Sequence, residues 1–140
     1  MTTTPATSLP SPGDARYGEG TTTGITVTAA ADSEIADINV LLGSTHLFLE
    51  VKNSHASVAF DQFDIQRKPQ GAASWETIAT AAGDYSSPQI PILEVQGAPV
   101  TLAAAASTFI RMSVEATDRV RILASGSGAA STANIHWSIQ

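Results

Sequence analysis

Apolar and polar residues alternate along most of the chain from residue 24 onward. Residues 47–52 show the pattern most clearly, with Leu47, Leu49 and Val51 at every second position. Successive side chains of a β-strand point to opposite faces of its sheet, so this alternation predicts a strand with one buried face. Comparable runs predict strands at residues 25–30, 63–68, 110–115, 119–123 and 134–140, and shorter runs predict strands at residues 35–42, 75–79 and 88–93.

Short segments rich in glycine, proline, asparagine and aspartate separate these runs. Residues 125–128, with the sequence Ser-Gly-Ser-Gly, predict a hairpin turn, because glycine readily adopts the positive φ that tight turns need. The one helical candidate is the alanine-rich run at residues 101–107, which is too short to favour a helix over a turn. Strands and turns in this arrangement predict an all-β fold, an antiparallel β-sandwich of either the jelly-roll or the immunoglobulin-like type.

Residues 1–23 lack the alternation and are rich in threonine, proline, serine and glycine. A segment of this composition cannot build a core of its own, and fixing the backbone of one residue costs about 1–2 kcal/mol. It is therefore either a disordered tail or an extended arm held by a neighbouring polypeptide. We favour the arm, so the chain divides into an N-terminal arm at residues 1–23 and a β-sandwich domain at residues 24–140. The arm residues expected to contact a partner are Leu9, Pro10, Pro12 and Tyr17.

Composition narrows the class of protein. The chain of 140 residues is the size of one domain, and it contains no cysteine, so disulfide bonds and thiol chemistry are excluded. A formal net charge of −6 argues against nucleic acid as a partner, because binding a phosphate backbone takes clustered lysine and arginine. Charged residues make up only 14% of the chain, against a typical value of about 25%. A surface so poor in charge belongs either to a stable fold with a largely uncharged exterior or to one that other subunits cover, since interface cores are depleted of charge. We favour the second.

The start of the chain has neither the basic residues nor the apolar run of a signal peptide. No apolar stretch approaches the roughly 20 residues that a membrane span requires. We therefore expect synthesis in a host cytoplasm and no membrane partner.

Residues able to carry chemistry are sparse and scattered. His46, His55 and His136 lack the spacing of a zinc motif, and the acidic residues match no calcium-binding loop. No nucleophile elbow and no phosphate-binding loop is present. We therefore predict a non-enzymatic protein with no catalytic residue, no metal and no cofactor. The acidic residues fall into the groups Asp32, Glu34 and Asp37, then Asp61 and Asp64, then Glu115 and Asp118.

Arg111, Arg119 and Arg121 alternate with apolar positions on two strands that a turn at residues 116–118 would join. This placement predicts a basic strip on one sheet face, beside Glu115. Such a strip would either dock an acidic neighbour, since arginine binds carboxylates bidentately, or pair across the strands with Glu115.

Two aromatic residues, Phe63 and Trp137, fall in phase with the apolar positions and are predicted to lie in the core. Trp75 follows a loop of small residues and is predicted to be a core residue at the end of a strand. If instead Trp75 or Tyr85 were exposed, a glycan-binding module would be favoured.

Five segments from Phe63 onward together resemble small β-sandwich virion proteins of tailed bacteriophages. The resemblance implies a capsid decoration (cement) protein that stabilises the shell through contacts of its arm with neighbouring subunits. Its implied location is the virion, and its implied partners are the major capsid protein and copies of itself, typically as a trimer. A small tail, baseplate or neck protein and a glycan-binding module are the alternatives. The segments are residues 63–66, 75–79, 109–114, 119–126 and 134–139.

Overall fold

A computed structural model describes residues 18–41, 43–79, 92–96 and 101–140. These ranges contain strands and turns but no helix, and therefore no helix that could span a membrane. The strands are β1 (Glu19–Val27), β2 (Ser33–Asn39), β3 (His46–Asn53), β4 (Phe60–Pro69), β5 (Glu76–Ala79), β6 (Ile92–Gln96), β7 (Ser107–Ser113), β8 (Thr117–Gly126) and β9 (Ser131–Ile139).

The strands form two antiparallel sheets, a five-stranded one in the order β1-β9-β3-β7-β6 and a four-stranded one in the order β2-β8-β4-β5. This confirms the predicted all-β antiparallel sandwich. Consecutive strands from β1 to β4 alternate between the sheets, whereas the first two strands of an immunoglobulin fold share a sheet. With β6 as an added edge strand beside β7, the strand order is that of a jelly roll.

The core lies between the inner faces of the two sheets. Phe63 and Ile65 of β4 and Ile135 and Trp137 of β9 are each at most 1% exposed. The predicted core positions of Phe63 and Trp137 are therefore confirmed. Burying one such side chain contributes about 1.5–3 kcal/mol, so this layer is the main source of stability.

Trp137 lies on β9 beside β1, the edge strand of the five-stranded sheet. The register pairs Gly20 of β1 with Trp137, and a Cβ atom on Gly20 would stand 2.6 Å from two atoms of the indole ring. Carbon atoms in contact are normally about 3.5–4.0 Å apart. The missing side chain at Gly20 is therefore what allows the ring to lie against β1.

A buried amide joins three loops at one end of the sandwich. Asn53 is 0% exposed, and its side-chain nitrogen donates to the carbonyl oxygens of Val58, at 2.9 Å, and Leu102, at 3.1 Å. Its side-chain oxygen accepts from the backbone N–H of His55 at 3.0 Å and from the hydroxyl of Ser131 at 3.1 Å. All four of the contacts that an amide group can make are thus used.

Two sequence predictions differ from the structure. The sandwich begins before the predicted end of the arm, because residues 19–23 lie in β1 and pair with β9, while residues 1–17 lie outside the described residues. The hairpin at residues 125–128 is wrong, because β8 and β9 belong to different sheets and the connection crosses between them. The run at residues 101–107 is the turn that the sequence offered as the alternative to a helix: Leu102 forms a β-bridge with Phe60, residues 104–105 form a turn, and β7 begins at Ser107.

We predict that Gly20→Ala lowers the free energy of unfolding by about 1–3 kcal/mol, because the added methyl group overlaps the indole ring of Trp137. Urea denaturation measures the effect. In a Trp137→Leu background the same change should cost much less. Equal costs in the two backgrounds would contradict this contact.

We predict that Asn53→Ala costs about 2–4 kcal/mol, because the buried carbonyl oxygen of Leu102 loses its donor and the N–H of His55 loses its acceptor. Asn39→Ala is the matched control, since Asn39 is half-buried and its substitution should change stability by no more than about 0.5 kcal/mol. Thermal denaturation of both variants measures the difference. Equal losses of stability would show that the hydrogen bonds of the Asn53 amide contribute no more than an ordinary surface side chain.

Candidate functional site

On the outer face of the four-stranded sheet, Arg119 and Arg121 pair with side chains of neighbouring strands. Arg119 makes a bidentate contact with Asp37, with 2.9 Å from Nε to Oδ1. Arg121 Nε donates to Oε1 of Gln66 at 2.8 Å, and its Nη1 lies 3.6 Å from Oε2 of Glu34. These ion pairs and hydrogen bonds hold both guanidinium groups against the sheet.

Trp75 is half-buried on this same face and is not a core residue, so that prediction is wrong. The Cζ atoms of Arg121 and Arg119 lie 4.1 Å and 5.4 Å from the centroid of its ring. Each such cation–π contact contributes about 0.5–1 kcal/mol at a partly exposed site. The arginines therefore occupy the ring surface that a sugar would need.

The predicted basic strip is divided between two sheets. Arg111 lies on β7 of the five-stranded sheet, whereas Arg119 and Arg121 lie on β8 of the other. The carboxylates that pair with the β8 arginines belong to β2 and do not include Glu115. Alternation placed all three arginines outward, but the strands that carry them do not pair with each other.

The remaining acidic residues of the four-stranded sheet also have partners. Gln62 donates to Asp32 at 2.7 Å and to Asp64 at 2.8 Å, and Ser125 donates to Asp61 at 2.6 Å. Within the described ranges, no group of three or more histidine, aspartate or glutamate side chains could hold a metal ion.

The histidines are separated from one another. His55 Nδ1 accepts from the backbone N–H groups of Ser57 and Val58, at 3.0 Å and 2.9 Å, and so shapes the loop after β3. His136 Nδ1 lies 2.7 Å from the hydroxyl oxygen of Thr21 on β1. His46 lies at the start of β3 and packs its ring 6.5 Å from that of Phe48.

The outer face of the five-stranded sheet carries a different set of side chains. Leu49 and Ile110 point into the core, so the alternating positions on β3 and β7 point outward. The outward residues of the three central strands surround a shallow depression of about 340 Å³. We name this surface the Phe109 face and define it as Phe48, Glu50, Phe109, Arg111 and His136.

Strand pairing brings the Phe109 face together from distant parts of the chain. Glu50 is the register partner of both His136 and Phe109. Phe48 is the partner of Arg111, whose Cζ atom lies 5.5 Å from the centroid of the Phe48 ring. The face thus lies on β9, β3 and β7, the three interior strands of the sheet, where the backbone is paired on both sides.

Two properties distinguish the Phe109 face from the rest of the described surface. Phe109 is 48% exposed, and it is the only large apolar side chain with such exposure among the described residues outside 78–79 and 92–96. Neither Arg111 nor Glu50 forms an ion pair or a side-chain hydrogen bond with any other described residue. The face therefore offers an aromatic ring and two opposite charges to a partner.

The arm residues proposed to bind a partner, Leu9, Pro10, Pro12 and Tyr17, lie outside the described residues, as does Tyr85. Sequence reasoning missed Phe48 and Phe109 as surface residues, although a signal was present. Phe48 is in phase with Glu50, and Phe109 is in phase with Arg111, so both aromatic residues belong to the polar set of their strands.

Comparison with known proteins finds no family model, no curated protein and no solved structure that matches this chain.

We predict that Phe109→Thr changes the free energy of unfolding by no more than about 0.5 kcal/mol, because the ring is half-exposed. Ile110→Thr is the matched control on the opposite face of β7, and it should cost about 2–4 kcal/mol through a lost apolar contact and a buried hydroxyl. Urea denaturation of both variants tests this. A large loss at residue 109 would mean that Phe109 serves folding and not binding.

Proposed function

We propose that this protein is a non-enzymatic structural component of a tailed-phage virion, a capsid decoration (cement) protein that stabilises the shell by contacting neighbouring subunits. The observation that carries the proposal is the Phe109 face, an exposed aromatic and charged surface on the rigid centre of a jelly-roll sheet. Its proposed partners are the major capsid protein and copies of the same chain.

The composition of the surface supports a docking role. Interface cores are depleted of charge and enriched in aromatic residues and arginine. The chain has a charged fraction of 14%, and the Phe109 face combines two phenylalanines with one arginine. A face built on paired interior strands changes little on binding, so less conformational entropy is lost there than on a mobile loop.

The segment before β1 supplies a second proposed contact. Gly18 enters the sheet at its β1 edge, where its carbonyl oxygen accepts from the backbone N–H of Ile139 at 2.6 Å. An edge strand leaves one side of its backbone free to pair with another chain. We propose that residues 1–17, through Leu9, Pro10, Pro12 and Tyr17, contact a neighbouring subunit beyond this edge.

A tail, baseplate or neck location would use the same fold and the same surfaces, and copy number separates it from a shell location. A glycan-binding function has less support, because Trp75 is stacked against Arg119 and Arg121.

We predict that virions of the phage encoding this chain contain it in a number comparable to that of the major capsid protein. Quantitative mass spectrometry of purified particles measures that number. A handful of copies would move the protein to the tail or neck, and complete absence would refute a virion role.

Loading of variants onto particles that lack the protein tests the two surfaces separately. Deletion of residues 1–17 and Phe109→Asp should each leave the domain folded and reduce loading at least tenfold, because each removes one proposed contact. Thr77→Asp, at an exposed position on the other sheet, is the control and should load normally. Full loading of the deletion variant would rule out the arm contact.

A further inference from the structure

Four residues of the Phe109 face form a regular pattern whose charges are not paired within a single chain. Phe48 and Glu50 stand two positions apart on β3, and their register partners on β7 are Arg111 and Phe109. The two phenylalanines therefore occupy one diagonal of a four-cornered arrangement, and the two opposite charges occupy the other.

The other sheet shows how this chain treats charges that it pairs internally. On β8, Arg119 and Arg121 each reach a carboxylate on β2. Arg111 and Glu50 stand on adjacent strands as well, yet no ion pair joins them, and the Arg111 guanidinium lies over Phe48 instead. Their charges remain available for a partner whose pattern is complementary.

We infer that two copies of this chain pair across their Phe109 faces about a two-fold axis, so that Arg111 of each copy binds Glu50 of the other. The axis lies in the interface along the line from Phe48 to Phe109. A half-turn about that diagonal keeps both phenylalanines facing their own counterparts and exchanges the two charged corners. Each ion pair then forms twice, as an isologous interface requires.

Other two-fold arrangements of the same face are less favourable. An axis parallel to the strands would place each charge over a phenylalanine, and so would an axis perpendicular to them. Only the axis along the line from Phe48 to Phe109 places aromatic residues against aromatic residues and each arginine against a glutamate. Arginine also suits this contact, because its planar guanidinium binds a carboxylate bidentately.

The area of the Phe109 face limits the affinity with which two copies can bind each other. Five strands at about 4.8 Å spacing and the seven residue steps of β3, at about 3.3 Å each, give roughly 19 Å by 23 Å of sheet, or about 440 Å². Stable complexes bury about 800 Å² on each partner, so an interface of roughly half that area falls in the size range of weak, transient complexes. We therefore expect a pair that dissociates on dilution.

Charge exchange tests the inference. Sedimentation of the full-length protein over a range of concentrations should show a monomer–dimer equilibrium. Glu50→Arg and Arg111→Glu should each weaken dimerisation at least tenfold, because each places like charges at both contacts. A one-to-one mixture of the two variants should restore the dimer, because every contact then joins opposite charges, and native mass spectrometry should detect the mixed species.

Two controls isolate the contact. Lys52→Glu changes a charge on β3 outside the four-cornered arrangement and should leave dimerisation within about twofold. Glu94 is the register partner of Arg111 on β6, and Glu94→Gln removes its negative charge. This change too should leave the dimer intact. Equal urea midpoints of all variants would show that folding is unchanged.

Several outcomes would overturn the inference: a wild-type protein that is monomeric at every concentration, a trimer, single variants that dimerise normally, or a variant mixture that stays monomeric. The inference rests on the proposed role of the Phe109 face in contacting copies of the chain. None of these outcomes depends on virions, so failure of the dimer can be distinguished from failure of the virion role.

Discussion

The burial of Trp137 against the bare backbone of Gly20 is the contact on which the arrangement of the five-stranded sheet depends. It sets the register of β9 with Trp137 inward and His136 outward. Because successive side chains of a strand point to opposite faces, a slip of one residue would turn the entire apolar set toward water. Because β9 pairs with β3 and β3 pairs with β7, the register of β9 also decides which residues of β3 and β7 point outward. Glu50 and Phe109 are among those outward residues.

The two outer faces of the sandwich differ in how many of their side chains have hydrogen-bond or ion-pair partners within the chain. On the four-stranded sheet, arginines, carboxylates and glutamines bond to one another, and Trp75 is covered by guanidinium groups. On the five-stranded sheet, an aromatic ring and two opposite charges remain without such partners among the described residues. Side chains already bound within the chain gain little from a partner, whereas exposed rings and free charges gain contacts by association. This difference is the reason why we propose the Phe109 face as the docking surface.

A jelly roll does not by itself define a function, since the same architecture serves capsid, lectin and enzyme proteins. With no similar protein to guide the assignment, the functional proposal depends on the surface and on composition. The charge-poor chain, the edge position of β1 among the described strands and the Phe109 face all favour contacts with other polypeptides. The buried network around Asn53 and the sheet core hold those surfaces in place.

Sequence alone was enough to identify the strands, the inward positions of Phe63 and Trp137, and the sandwich, because alternation and turn composition are local properties of the chain. It did not reveal that Arg111 lies on a different sheet from Arg119 and Arg121, or that residues 125–128 connect two sheets. It also did not show that Trp75 stacks with arginines or that Phe48, Phe109 and Glu50 meet. Those facts depend on which strands pair, and pairing is decided by the burial of apolar faces from segments far apart in the chain. Tertiary structure therefore determined the candidate site, while the local pattern determined the fold class.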